Sequence, residues 1–279
     1  MPDERIHRAA SADGTEIAGR VQGQGPPLVL VHGALGDGDT AWESLLPYLT
    51  DRFTCYLPST RGRGLSGDNT DHSPPRLVED VTAFVDSLGE RVCLVGWSGG
   101  GAWVLGAAAN SGFVAAVAAY EPGVVSVMRQ DDLVRTGATL EQMGMAAAHD
   151  RLVDAVRAFA PWICTDNEIA ALEETDFFER WAGGVPAMLQ FFQHDAPYEG
   201  SRSTDPEVLQ QVAAPVLLLR GQQTELDTWF ADSVQHIAQH VADPHVRELP
   251  GLGHFAPLLA PESIAEELIS FFESVRQPA

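Results

Sequence analysis

Lysine is missing altogether: all seventeen basic residues of this 279-residue chain are arginine. Chemistry that runs through a lysine amine is therefore excluded, whether a Schiff base, a pyridoxal-phosphate anchor or a P-loop lysine on nucleotide phosphates. Cysteine is almost as scarce. Cys55, Cys93 and Cys164 are an odd number with no short-spaced pair, so neither a disulfide framework nor a zinc site is visible. Cys55 and Cys93 fall in apolar runs and read as buried thiols. Positive charge is in short supply overall, with 39 acidic residues giving a formal charge of −22. Such a surface repels phosphate backbones and anionic lipid, which disfavours nucleic acid and membrane as partners. No uninterrupted apolar run is long enough to cross a bilayer. The stretch from Gly99 to Tyr120 comes nearest, and Asn110-Ser111-Gly112 breaks it. The first residues, Met1-Pro2-Asp3-Glu4-Arg5, are polar and carry no signal-peptide core, so a cytoplasmic protein is expected. Repeats and low-complexity tracts are also absent.

What is present is organised around Val92-Cys93-Leu94-Val95-Gly96-Trp97-Ser98-Gly99-Gly100. A buried-strand run stops at Gly96 and gives way to a small-residue helix toward Asn110. Ser98 sits at the junction with glycine on both sides, the Gly-x-Ser-x-Gly pattern of a serine on a strained strand-to-helix turn. Close backbone approach there admits only residues without a Cβ. The following helix aims its N–H groups and positive end at any oxyanion formed nearby.

The rest of the chain alternates strand and helix on both sides of that turn. Thr15 to Gln22 reads as a strand, and Leu28-Val29-Leu30-Val31 as a fully buried one. The latter opens into His32-Gly33-Ala34-Leu35-Gly36, whose backbone can turn inward. The Ala34 N–H is then a candidate oxyanion donor beside that of Gly99, while His32 itself reads as a structural loop histidine. Thr40 to Leu49 has the spacing of a helix with Trp42, Leu45, Leu46 and Leu49 on one face. Phe53 to Leu57 is another strand, and the loop Arg61-Gly62-Arg63-Gly64-Leu65-Ser66 after it reads as a turn whose arginines pair with carboxylates. Pro74 to Leu88 is an amphipathic helix. Val114 to Tyr120 is a strand that delivers Glu121 to the same sheet edge as Ser98.

Alternation then lapses. Residues 124–205 read as mostly helical, with breaks expected at Gly144, Pro161, Gly183-Gly184 and Ala196-Pro197, and they are rich in Met, Phe and Trp. A helical lid over the strand ends is expected there, most of its bulk fastening it down and some of it lining a pocket. Alternation resumes with Val216 to Leu219, a helix from Asp227 to Val241, a short strand at Val246 to Leu249 and a closing helix from Pro261. The chain thus divides into a first part of the core (1–123), the lid (124–205) and a second part of the core (206–279). His254 lies in the Gly-rich loop after the last strand, where it can take the proton of a serine hydroxyl. His236 and His240 have metal-ligand spacing but lack an intervening glutamate and a third ligand, and read as a solvated face. No metal and no cofactor are expected.

With these residues in hand, the chain resembles the α/β-hydrolase superfamily, in its single-lid esterase and haloperoxidase-like branch. The residues that carry the likeness are His32-Gly33, Trp42, Arg61-Gly62-Arg63-Gly64-Leu65-Ser66, Gly96-Trp97-Ser98-Gly99-Gly100 and Gly253-His254. The resemblance implies an α/β fold, a mostly parallel sheet with helices on both faces and a helical lid inserted after the strand that follows the nucleophile helix. It implies Ser98 as nucleophile, His254 as base and the Ala34 and Gly99 N–H groups as oxyanion hole. Two departures stand out. Ser59 occupies a place where the family usually has aspartate. Thr224 occupies the usual place of the triad acid, leaving Glu121, as in some branches of the superfamily, and Glu225 as the alternatives, with Glu121 preferred. The expected activity is cleavage of a carboxylic ester, lactone or thioester of a small apolar molecule through an acyl-enzyme on Ser98. A lyase or C–C bond hydrolase on the same pair, cofactor-free perhydrolysis and a non-catalytic binder are the competing expectations.

Overall fold

The computed structural model describes residues 5–276. Eight strands form one sheet among them: β1 (Arg5–Ala10), β2 (Glu16–Gly23), β3 (Pro27–Val31), β4 (Thr54–Pro58), β5 (Val92–Trp97), β6 (Val114–Tyr120), β7 (Val216–Gly221) and β8 (Pro244–Leu249). Their order is β1-β2-β4-β3-β5-β6-β7-β8. β2 runs antiparallel to both neighbours, and every other pairing is parallel.

The apolar runs are explained by what covers them. Parallel strands joined by helical crossovers are buried on both faces, so they lack polar alternation. β5 and β7 are buried at every position. The two-residue period of a strand still sorts their side chains. Leu28, Leu30, Val95 and Trp97 enter one hydrophobic cluster, while Val29, Val31, Val92 and Leu94 enter a second on the opposite face. The second cluster is closed by the helices Pro74–Ser87, Gly99–Asn110 and Asp227–His240. The first is closed by the helix Pro261–Arg276 and by residues between β6 and β7.

That intervening segment contains the helices Gln130–Ala147, Leu152–Ile163, Asp166–Glu173, Phe177–Trp181 and Val185–Asp195. Gly144 and Pro161 do not break helices as expected, because each lies in the last turns of one. A glycine costs only about 1 kcal/mol there, and a late proline removes few backbone bonds. The expected helix from Thr40 is reduced to Leu46–Leu49, with Pro47 in its first turn. Proline cannot continue a helix behind it, yet Trp42, Leu45, Leu46 and Leu49 are all buried as the spacing requires. β1 carries no alternating apolar face and gave no signal in the sequence. Expectations that fall on residues 1–4 and 277–279 lie outside the described residues.

Candidate active site

The C-terminal ends of β3, β5, β6 and β7 open on one edge, the place where open α/β sheets form ligand crevices. Ser98 follows β5 directly, with φ 56° and ψ −122°, in the left-handed region that disfavours a side chain. Its neighbours explain how it is held there. A Cβ at Gly96 would lie 2.3 Å from the Gly100 carbonyl oxygen, and a Cβ at Gly100 would lie 2.3 Å from that of His32. The hairpin is therefore too tight for any other residue at either flank. The helix Gly99–Asn110 starts at once with Ser98 as its N-cap, and the Gly101 N–H donates to the Ser98 carbonyl at 2.9 Å.

Beside this turn lies the loop after β3. A Cβ built on Gly99 would be 3.6 Å from the Ala34 nitrogen, so the two backbone segments are in contact. Neither the Ala34 nor the Gly99 N–H donates to a loop or turn carbonyl among the described residues. Arg63 fixes this loop by donating to the Ala34 carbonyl at 2.6 Å and to Thr60 Oγ1. This corrects one expectation about the arginine loop. Arg61 does pair with carboxylates, those of Asp80 and Asp13, but Arg63 grips the loop after β3 instead. His32 is structural as expected. Its Nε2 accepts from the Thr60 N–H and its Nδ1 donates to the Gly33 carbonyl. Burial pulls its pKa down to about 4, which keeps the ring neutral.

Glu121 and His254 are brought into direct contact, with Oε2 2.7 Å from Nδ1. The other carboxylate oxygen of Glu121 accepts from the Gly221 N–H at the end of β7. Glu121 is fully buried and takes φ 44° as the chain leaves β6. Burial raises its pKa, and the hydrogen bonds from His254 and Gly221 oppose that rise without cancelling it. Glu225 is elsewhere, half-exposed and paired with Arg135 at 2.8 Å. Thr224 is buried with its hydroxyl unpartnered among the described residues. The His254 ring is stacked on Phe230 (centroids 4.9 Å apart, 16° between planes) and flanked by Trp97 and Phe255. Ser98 and His254 line the same cavity, but no hydrogen bond joins them among the described residues. Bonds of this kind are commonly long until substrate is present.

That cavity measures about 380 Å³. Its wall is largely apolar, with Trp97, Trp103, Trp162, Trp181, Trp229 and Phe191 among the lining residues. Of the bulky residues between β6 and β7, Met128, Trp162, Trp181, Met188, Phe191 and Phe192 line it, whereas Met143, Phe177 and Phe178 are buried without doing so. Arg202 is the arginine in the lining, and it is paired with Asp195 and bonded to the carbonyls of Asp195 and Tyr198. His236 bonds the carbonyl of Thr204, a lining residue, and His240 bonds that of His236, but neither histidine is itself in the lining.

Sequence reasoning missed two groups at the histidine loop. Tyr120 donates its hydroxyl to the Gly253 carbonyl, and Glu168 Oε1 accepts from the Phe255 N–H at 2.7 Å. Thr165-x-x-Glu168 carried the signature of a helix capping box, and one is formed, but that signature is silent about a second contact to a distant loop.

Residues 28–267 match the alpha/beta hydrolase family. The chain belongs to that family. Among curated relatives of this alpha/beta hydrolase, the non-heme haloperoxidase of Rhodococcus erythropolis is 26% identical over 95% of this chain and 98% of its own length. The 2-(acetamidomethylene)succinate hydrolase of Mesorhizobium japonicum is 24% identical over 98% and 97%. Pyrrolizixenacetamide deacetylase of Xenorhabdus hominickii is 39% identical, but that match spans only 32% of this chain and 35% of the relative. Among solved structures, an alpha/beta hydrolase from Sphaerobacter thermophilus superposes with a TM-score of 0.71 at 25% identity, covering 95% of this chain and 100% of that one. The esterase RhEst1 from a Rhodococcus species gives 0.76 at 22%, covering 97% and 99%. Among the described residues of this hydrolase, no helix is long and apolar enough to cross a membrane.

Proposed function

We propose that this hydrolase is a serine esterase that forms an acyl-enzyme on Ser98. The observation that carries the reading is the Glu121–His254 hydrogen bond at the rim of the cavity that Ser98 also lines. With Glu121 ionised, Nδ1 bears the ring proton and Nε2 keeps its lone pair for the serine hydroxyl. Ser98 Oγ bonds to the ester carbonyl carbon as its proton moves to Nε2. The Ala34 and Gly99 N–H groups stabilise the oxyanion, each worth about 3 kcal/mol in the transition state. Collapse breaks the carbon–alkoxide bond, and Nε2 returns its proton to the leaving alcohol. Water then repeats the sequence, releasing the acid and restoring Ser98.

The helices of residues 124–205 act as a lid over this centre. The apolar wall favours a bulky, uncharged acyl or alcohol group, and the pairing of Arg202 with Asp195 leaves no unpaired arginine among the described lining residues to meet a substrate carboxylate. A panel of p-nitrophenyl esters of graded acyl length, run with a fluorophosphonate probe, tests the reading. Wild type should hydrolyse the neutral esters and be labelled, and Ser98→Ala should do neither. Folded wild type that takes up apolar ligand without labelling or turnover would show a binding protein instead.

A further inference from the structure

One buried carboxylate has no part in the chemistry above. Glu168 lies on the first turn of the helix Asp166–Glu173, 8% exposed, and no arginine or histidine pairs with it among the described residues. A buried carboxylate without a cation is costly unless hydrogen bonds replace its water. Both of its oxygens accept from backbone. Oε2 takes the Thr165 N–H at 3.0 Å, which completes the capping box, and also the Thr165 hydroxyl at 3.3 Å. Capping needs no more than that one oxygen. Oε1 leaves the helix altogether and takes the Phe255 N–H at 2.7 Å, one residue beyond His254. The loop is shaped to receive it, since a Cβ at Gly253 would lie 2.5 Å from the Glu168 carboxyl carbon.

On the other side of His254, the Gly253 carbonyl accepts from the Tyr120 hydroxyl. The two peptide planes that meet at the His254 Cα are therefore each held by one side chain. Turning φ or ψ of His254 would break one of the two bonds, so together they aim the imidazole. Tyr120 belongs to β6 of the core, and Glu168 belongs to the lid segment.

We propose that Glu168 is a positioning residue that ties the seating of the lid to the alignment of His254. The proposal rests on the reading of His254 as general base. Lid and base then act as one unit: when the helix Asp166–Glu173 lifts away, the Phe255 N–H loses its acceptor, and the peptide after His254 loses the side chain that holds it.

The test uses the full chain and three variants assayed with p-nitrophenyl acetate and a longer-chain ester. Glu168→Gln keeps one acceptor oxygen but turns an amide donor toward one of two N–H donors. It should lower kcat by about ten- to hundred-fold, the cost of misplacing a catalytic group by a fraction of its length, with KM nearly unchanged for both esters. Thr165→Val removes the hydroxyl, with its two 3.3 Å contacts to Glu168, while keeping the shorter bonds of Glu168 to the Thr165 and Phe255 N–H groups. It should leave kcat within about two-fold although it weakens the helix, since a cap is worth about 1 kcal/mol. A Glu168→Gln enzyme with wild-type kcat, or with a change in KM alone, overturns the positioning role. Ser98→Ala is the third arm: if it retains activity, the serine reading falls and this inference with it. Hydrogen exchange on wild type gives an answer even if Glu168→Gln does not fold. The Phe255 amide should exchange at the rate of the amides of the helix Asp166–Glu173. Protection of Phe255 at the level of the core strands, with that helix exchanging faster, overturns the coupling.

Discussion

Glu121 Oε2 stands 2.7 Å from His254 Nδ1, across 133 residues of sequence, and the Glu121 carboxylate also receives the Gly221 N–H. This double acceptance makes the glutamine variant informative. In Glu121→Gln the amide oxygen can keep Gly221 while the NH2 donates to Nδ1. That leaves the His254 proton on Nε2, where the ring cannot accept from Ser98. Loss of a triad carboxylate in this way costs about 10⁴ in kcat, and a fall of that order is expected with the fold intact. Glu225→Gln touches only the exposed pair with Arg135 and should change kcat by less than about two-fold. A large loss in Glu225→Gln with a mild one in Glu121→Gln would reassign the acid.

The same substitution carries a pH signature. Burial raises the Glu121 pKa in the folded chain, so the folded state holds that proton more tightly than the unfolded state does. The stability it contributes is fully present below the unfolded glutamate pKa and is lost as pH rises through the folded value. Wild type should therefore lose stability relative to Glu121→Gln on going from about pH 4, the ordinary glutamate range, toward neutrality. Urea melts of both proteins across that window measure the difference, and a gap that is flat or reversed would contradict a raised pKa.

Ser98 supplies a stability prediction independent of turnover. Its φ of 56° strains any residue with a Cβ, at a cost of about 1–2 kcal/mol. Ser98→Gly and Ser98→Ala should both be inactive, but the glycine variant should be the more stable by about 1 kcal/mol. Equal midpoints in denaturant would mean that the turn relaxes once the hydroxyl is gone.

Much of this fold was legible because the parallel strands are buried on both faces, so their apolar runs announce themselves without help from distant residues. The turn at Ser98 was legible for a related reason: glycine at positions 96 and 100 is a local steric requirement, visible in the sequence as composition. β1 was invisible because an exposed edge strand needs no apolar face. The sequence narrowed the residue facing His254 to Glu121 or Glu225, with Glu121 preferred, and both follow strands that end on the same sheet edge. Which of them turns inward depends on backbone direction at the strand exit, where Glu121 adopts φ 44°, and on the distant Arg135 that holds Glu225. Glu168 was out of reach for the same reason, its partner being a main-chain N–H 87 residues away.

Arg202 and Asp195 carry the prediction about selectivity. The pair lies in the cavity wall, and Asp195 is largely buried. Because the guanidinium is already matched by a carboxylate and two carbonyls, a substrate carboxylate would enter an apolar cavity without a partner. Burying an unpaired charge costs several kcal/mol, and each 1.4 kcal/mol is about ten-fold in rate. A p-nitrophenyl monoester of a dicarboxylic acid should thus fall at least about 100-fold below its neutral isostere in kcat/KM. Asp195→Asn keeps the shape of the wall while removing the competing charge, and it should narrow that gap by about ten-fold, chiefly through the anionic ester. If the variant slows both esters alike, the pair holds the wall together and does not select against charge. If wild type already accepts both esters equally, the acyl group does not reach Arg202, and the cavity is filled from the Ser98 end alone.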